Sequence, residues 1–287
     1  MSIKFNERYK VINKIGEGSF GNIFMGINEL TNTKVAIKVD SSNSIILKNE
    51  ARIYNLLNNI RGVPKMKQYG TYKEYNYLII DLLGKSLEYY KKKYNKICLK
   101  NVLLIGIQMF QRIRDIHNLN IIHRDIKPEN FMFGNNENKD LLYLIDFGLS
   151  KLYFKNNKHI DYQVNKKLLG TAKYISINIH KGVIGSRRDD LESIMYVLIY
   201  LLIDKLPWDN LTKIENNYVD ILYSKEHINF SKYNEIPYEF ILILEYIKKL
   251  EFTEDPNYDY IISIILNVYK DKKFLFDNNY EWKFQFN

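Results

Sequence analysis

The densest run of reactive side chains in the sequence is His123-Arg124-Asp125-Ile126-Lys127-Pro128-Glu129-Asn130. Asp125 can accept the proton of a hydroxyl nucleophile, and Lys127 can offset charge on a moving phosphoryl group. Asn130 can ligate a metal through its amide oxygen. Further along, Ile145-Asp146-Phe147-Gly148 closes an apolar run from Leu141 to Ile145. Asp146 is an oxygen ligand for a Mg²⁺ ion that bridges phosphates. A lone D-F-G is weak, but following the first motif in this order it is strong.

Two weaker signals lie upstream. Gly16-Glu17-Gly18-Ser19-Phe20-Gly21 falls between two strand-like stretches. It suits a plain hairpin turn, a dinucleotide site, or a flexible hairpin whose amides cover phosphates. Asn22-Ile23-Phe24-Met25 reads as a strand rather than a helix, which favours the phosphate-covering hairpin over the dinucleotide site. Lys38 ends the apolar strand Val35-Ala36-Ile37, where it can hold phosphate oxygens if a carboxylate orients it; Glu50 is the candidate. Standing alone, these two would read as an exposed lysine and an unrelated surface glutamate.

The elements that must carry these groups change character along the chain. Residues 9 to 40 read as three strands, with a turn at Asn32; residues 44 to 58 suit a helix, and Tyr77 to Leu83 a strand. Val102, Ile105, Met109, Ile113 and Ile116 recur at three- and four-residue steps and predict one face of a long helix. Further helices are expected over 187–203, 236–250 and 258–268. The expected fold is α+β, with a small β-rich lobe over 9–82, a larger helical lobe over 83–287 and a short extension, 1–8.

Composition narrows the class. The chain has 287 residues, 46% of them hydrophobic, enough to build a sizeable core. A single cysteine, Cys98, excludes an internal disulfide, and with five scattered histidines it gives no zinc-ligand spacing. No apolar leader opens the chain, and the longest apolar run, Ile194 to Ile203, falls short of the roughly 20 residues of a membrane span. It reads as a buried helix. The expected location is intracellular, in cytoplasm or nucleus, and the expected state is a monomer away from membranes. The formal charge of +9 favours acidic partners. Lys91-Lys92-Lys93 reads as a solvated helix face. The late run Phe274, Phe276, Tyr280, Trp282, Phe284, Phe286 reads as packing on the large lobe rather than as a stacking platform, so nucleic acid is not an expected partner.

Taken together, the glycine loop, Lys38, Glu50, Asp125, Lys127, Asn130 and Asp146 resemble a eukaryotic-type protein kinase. The chain is more closely similar to the casein kinase 1 family. Gly170-Thr171-Ala172-Lys173-Tyr174 leads into Ser176-Ile177-Asn178, where other kinases have A-P-E, and is followed by Ser186 to Ser193 and Leu206-Pro207-Trp208. Asp81-Leu82-Leu83-Gly84 with Ser86-Leu87-Glu88 resembles the hinge of that family, and Pro256-Asn257-Tyr258 its last helical region. The likeness runs from about residue 9 to the end. His180-Lys181-Gly182 echoes the sister vaccinia-related kinases, whose catalytic loop usually departs from the pattern kept here.

The resemblance implies a bilobal kinase fold and ATP- and Mg²⁺-dependent transfer to serine or threonine, without phosphorylation of the activation loop. It implies nucleotide contacts from Ile15, Gly16, Gly18, Ser19, Phe20, Gly21, Ile23, Ala36, Lys38, Glu50, Ile80, Asp81 and Leu83. Asp125 and Lys127 would be catalytic, Asn130 and Asp146 metal ligands. Asp190 would tie the buried helix to the catalytic-loop backbone. The implied substrates are acidic or already phosphorylated proteins, met by Arg124, Lys151 and Lys166 in one basic pocket and Lys173 in another. That second pocket is thinned, because Asn210 and Val219 stand where a glycine and a lysine are usual. With no tail after the last helical region, autoinhibition by a tail is not expected. A pseudokinase scaffold is the rival reading, and the retained Lys38, Asp125, Asn130 and Asp146 speak against it.

Overall fold

The computed structural model describes residues 3–18, 21–41, 45–214, 217–275 and 280. The chain divides into two units, Met1–Lys85 with Met132–Ser150, and Ser86–Phe131 with Lys151–Asn287.

In the first unit, stretches rich in β-branched and aromatic residues form strands. β1 (Lys4–Phe5), β2 (Tyr9–Gly18), β3 (Gly21–Asn28), β4 (Thr33–Ser41), β5 (Met66–Tyr72) and β6 (Tyr75–Asp81) make one antiparallel sheet, ordered β1-β2-β3-β4-β6-β5. The turn into β4 passes through Asn32 in the left-handed region, where asparagine is tolerated. Phe5, Tyr9, Val35, Ile37, Tyr77 and Ile79 bury one face of the sheet, with Val11, Phe24 and Val39 packed around them. A side chain of this size contributes about 1.5–3 kcal/mol when fully buried. Between β4 and β5 lies helix α1 (Ile45–Leu56). It buries Leu47, Ala51 and Tyr54 on one face, and Glu50 falls on that same face. A carboxylate there requires a partner.

The second unit is helical. Helix α2 (Leu87–Tyr94) is capped by Ser86, whose hydroxyl accepts the Tyr89 N–H at 3.2 Å. Helix α3 (Leu99–His117) buries Val102, Ile105, Met109, Ile113 and Ile116, the stripe expected from the sequence. After it come α4 (Ile177–His180), α5 (Arg187–Leu202), α6 (Tyr218–His227), α7 (Tyr238–Lys249) and α8 (Tyr258–Asp271). Helix α5 starts at a capping box between Ser186 and Asp189, and every residue from Asp189 to Leu202 is buried. It packs on α3 and α7, and α3 packs on α8.

The fold class is the expected one: a β-rich unit and a helical unit. One expectation needs correcting. Lys91 is not on a solvated face; it is 3% exposed and donates to Asn95 O and, at 2.6 Å, to Ile203 O. Carbonyls left over at helix ends draw the ammonium in, while the Lys92 side chain stays 73% exposed. Of the late aromatic run, Tyr280 is buried and its hydroxyl accepts from the Gln108 amide at 2.8 Å. Phe274 lies edge-on to Tyr269. Phe276, Trp282, Phe284 and Phe286 lie outside the described residues. No helix among the described residues is long and apolar enough to cross a membrane.

Candidate active site

The first unit gathers one set of groups. β2 and β3 pair to the end, with Gly18 opposite Gly21, so the glycine run joins two strands and does not open a helix. That removes the dinucleotide reading. Gly21 has φ +138°, and a Cβ there would stand 2.3 Å from Val39 O, so no other residue fits. Ser19 and Phe20 lie outside the described residues. In register across the sheet, Gly16 faces Ile23, Ile23 faces Lys38, and Ala36 faces Ile80. Ile15 is 47% exposed. After β6 the chain is pinned: the Asp81 carboxylate accepts Lys65 N–H at 2.8 Å and pairs with Lys67 at 2.6 Å. Asn135 donates to Leu82 O at 2.9 Å and Gly84 N–H to Phe133 O at 2.8 Å, which fixes the backbone on either side of Leu83.

Lys38 is the hub. Its ammonium donates to Glu50 Oε2 at 2.7 Å and to Asp146 Oδ1 at 2.9 Å. Burial works against the charge on Lys38, but Glu50 and Asp146 outweigh it and hold the ammonium protonated well beyond its ordinary range. Burial pushes the Glu50 carboxyl up to about 7, against the opposing pull of Lys38. Asp146 sits at φ 65°, a left-handed conformation that costs energy in a non-glycine residue and marks a constrained position. Its neighbours explain how it is held there. Phe147 is fully buried and meets the Tyr54 ring of α1 edge-on at 5.1 Å. Asn49, also on α1, donates to Gly148 O and Ser150 O, both at 3.1 Å. Helix α1 therefore carries the partner of Lys38 and clamps the segment that bears Asp146. Asn49 had no signal in the sequence beyond lying next to Glu50.

The second unit gathers the other set. Asp125 is 5% exposed. Its Oδ1 accepts the Thr171 hydroxyl at 2.8 Å, and its Oδ2 accepts the Lys127 ammonium at 2.7 Å. Asn130 donates its amide N–H to Asp125 O at 2.8 Å. That bond engages the nitrogen end of the Asn130 amide, so its oxygen is the end that a hard cation can meet.

Asp190, at the start of α5, holds the loop from below. Its two oxygens accept the backbone N–H groups of His123 at 2.7 Å and Arg124 at 2.9 Å, and His117 Nε2 lies 3.0 Å away. Burial alone would raise the Asp190 carboxyl, but His117 and the backbone donors more than offset it and the net shift is downward. Burial pushes the His117 pKa down, against the opposing pull of Asp190. Its Nδ1 lies 2.7 Å from the Tyr258 hydroxyl. The capture of two successive N–H groups accounts for Arg124 at φ 69°. Gly170, at φ +99°, passes so close that a Cβ would stand 2.6 Å from Arg124 O.

Arg124, Lys151 and Lys166 line one cavity of about 300 Å³, with Lys167 and Gln163 beside them. Burial, then Arg124 and Lys166, push the Lys151 pKa down, the behaviour of a cation crowded by other cations. Lys173 stands apart. It is paired with Asp209 at 2.8 Å, and its ammonium lies 3.7 Å from the centre of the Tyr200 ring. Trp208 donates its indole N–H to Lys173 O at 2.8 Å. Ser176 donates to Asp189 at 2.6 Å, and the Ile177 N–H donates to Glu192 at 3.0 Å.

Among the described residues, no three carboxylate, histidine or cysteine groups assemble into a resident metal centre. The Asp146 carboxylate and the Asn130 amide oxygen are hard donors, each suited to a Mg²⁺ ion that arrives with phosphate oxygens as its other ligands. A family model described as the protein kinase domain matches residues 9–265.

Proposed function

The chain belongs to the protein kinase family, and from that premise we propose that it transfers the γ-phosphoryl group of ATP to serine and threonine hydroxyls of acidic proteins, in the manner of the casein kinase 1 family. The observation that carries this reading is the fixed Asp125 carboxylate, held by Thr171 and Lys127. Asp125 takes the hydroxyl proton as the hydroxyl oxygen bonds to the γ-phosphorus and the bridging bond to the β-phosphate breaks, so that ADP leaves. Lys127 offsets negative charge on the moving group. Lys38, kept cationic by Glu50 and Asp146, holds the nucleotide phosphates. Asp146 and Asn130 are the proposed ligands of Mg²⁺, which when bound neutralises charge on the phosphates.

The substrate class rests on the cluster of Arg124, Lys151 and Lys166 in one cavity, whose lining also includes Asp189 and Asp190. A side-chain carboxylate or phosphate supplies the charge opposite to that cluster. Lys173 already has Asp209 as its partner, which supports a single anion pocket and acceptance of unprimed substrates. Activity without activation-loop phosphorylation is supported by the bonds from Trp208, Glu192 and Asp189 to the Lys173–Ile177 segment, none of which needs a phosphate. Ser176 also caps α4, accepting the Ile179 N–H at 3.1 Å.

The test is phosphoryl transfer from labelled ATP with Mg²⁺ to acidic peptides that differ only in carrying serine, threonine or tyrosine. Incorporation into the serine and threonine peptides, primed or not, is expected. Absence of transfer to all three, or transfer confined to tyrosine, would overturn the proposal.

A further inference from the structure

Helix α6 places one ammonium group in the interior of the helical unit. Lys225 is fully buried. It donates to Ala172 O at 3.0 Å and to Ile175 O at 2.7 Å. Its Nζ lies 4.9 and 5.1 Å from the centres of the Tyr196 and Trp208 rings, and 3.2 Å from His180 Nε2. The hydrogen-bond partners are thus two carbonyls and an imidazole, not a carboxylate. Removing an ammonium from water costs several kcal/mol, and an apolar side chain of the same volume would avoid that cost. Burial holds the Lys225 pKa down to about 7, with Glu192 opposing the shift.

What the ammonium grips explains its presence. Ala172 and Ile175 flank Lys173-Tyr174 in a single turn, closed by the N–H groups of Tyr174 and Ile175 on Thr171 O at 2.8 and 3.1 Å. The same Thr171 donates its hydroxyl to Asp125. A continuous set of bonds therefore runs from α6 through Lys225 to the turn, and from Thr171 to the proposed proton acceptor.

We infer that Lys225 is a positioning residue for phosphoryl transfer: by holding the carbonyls of Ala172 and Ile175, it keeps the Thr171 hydroxyl on Asp125. This rests on the kinase reading above.

The test is a double-mutant cycle of Lys225→Met and Thr171→Val, read as kcat and KM for an acidic serine peptide, with nucleotide affinity and unfolding midpoint measured alongside. Lys225→Met removes the ammonium and keeps the stem. A small misplacement of a reacting group costs on the order of 10²-fold in rate, so kcat should fall roughly 10- to 100-fold while nucleotide affinity stays within about twofold. Because both residues act through one contact, the double variant should lie within about twofold of the slower single variant. An unchanged kcat in Lys225→Met would overturn the inference, as would losses that multiply in the double variant, the sign of independent structural effects. If Lys225→Met does not unfold cooperatively, Lys225→Gln, whose amide still donates to a carbonyl, goes through the same cycle under the same criteria. A wild-type protein that transfers no phosphate to any peptide contradicts the kinase reading instead, which keeps the two failures distinct.

Discussion

The Lys38 ammonium lies 2.7 Å from the Glu50 carboxylate, and their side chains are only 11% and 2% exposed. A buried pair of this kind stands or falls on whether both charges are kept. Lys38 has a second carboxylate, Asp146, and keeps its charge; Glu50 sits close to the point of taking up a proton.

From this follows the first prediction. Lys38→Met should lower kcat/KM for phosphoryl transfer by about 10²–10³, the size of effect seen when one preorganised electrostatic group is removed. The fold should survive, because Glu50, already pushed up to about 7 by burial, can be neutral once the ammonium is gone. Steady-state kinetics with a thermal melt on the same preparation checks both halves. A variant that unfolds would show that the pair serves stability instead.

Asp189 and Asp190 are adjacent, buried, and shifted in opposite directions. Burial raises Asp189 to about 6, so the folded state binds its proton more tightly than the unfolded chain, where the value is near 3.8. Its contribution to stability is therefore largest below the unfolded value and falls as pH rises from about 4 to about 6. Asp190 is held low, so its contribution is present above the unfolded value and is lost as pH falls below it. Urea unfolding at a series of pH values should show Asp189→Asn gaining on the wild type between pH 4 and 6, and Asp190→Asn losing least in strong acid. Parallel pH curves for all three proteins would contradict this.

Charge reversal tests the cavity. Lys151→Glu with Lys166→Glu should lower kcat/KM for acidic peptides by roughly 10- to 100-fold, since each charge-assisted hydrogen bond contributes about 1.5–3 kcal/mol before solvent screening. The KM for ATP should not move. Added salt should weaken the wild type toward the variant, because partly exposed charges are screened.

Gly170→Ala should be poorly tolerated although the residue carries no functional group. The new Cβ would meet Arg124 O at 2.6 Å, in a backbone conformation at φ +99°. Strain of this kind costs on the order of 1–3 kcal/mol, and relieving it would move Arg124 or the Thr171 segment. A drop in both melting temperature and turnover is expected, and a variant with wild-type values would sink the argument.

Much of this was legible in the sequence because it is written in short, local patterns. The Val102–Ile116 periodicity gave α3, and the strand after the glycine run gave the hairpin. Lys38 and Glu50 were readable as a pair because a strand and the next helix are close in the chain. Helix α6 was not readable: apart from Lys225 it buries only Ile221, so no apolar stripe marks it. The burial of Lys91 and Lys225 was hidden for a related reason, since a lysine drawn in by carbonyls looks like any surface lysine until the chain folds around it. The pairing of Lys173 with Asp209 and of Thr171 with Asp125 joins positions 36 and 46 residues apart, beyond what spacing alone can show.

The central claim is that Asp125 accepts the proton of a protein hydroxyl during phosphoryl transfer. The most direct measurement is single-turnover transfer of labelled phosphate from ATP to a serine peptide by the wild type and by Asp125→Asn, with nucleotide affinity determined on both. The account predicts a loss of about 10²–10⁴ in the transfer rate with nucleotide affinity little changed. Transfer at the wild-type rate by Asp125→Asn would contradict it.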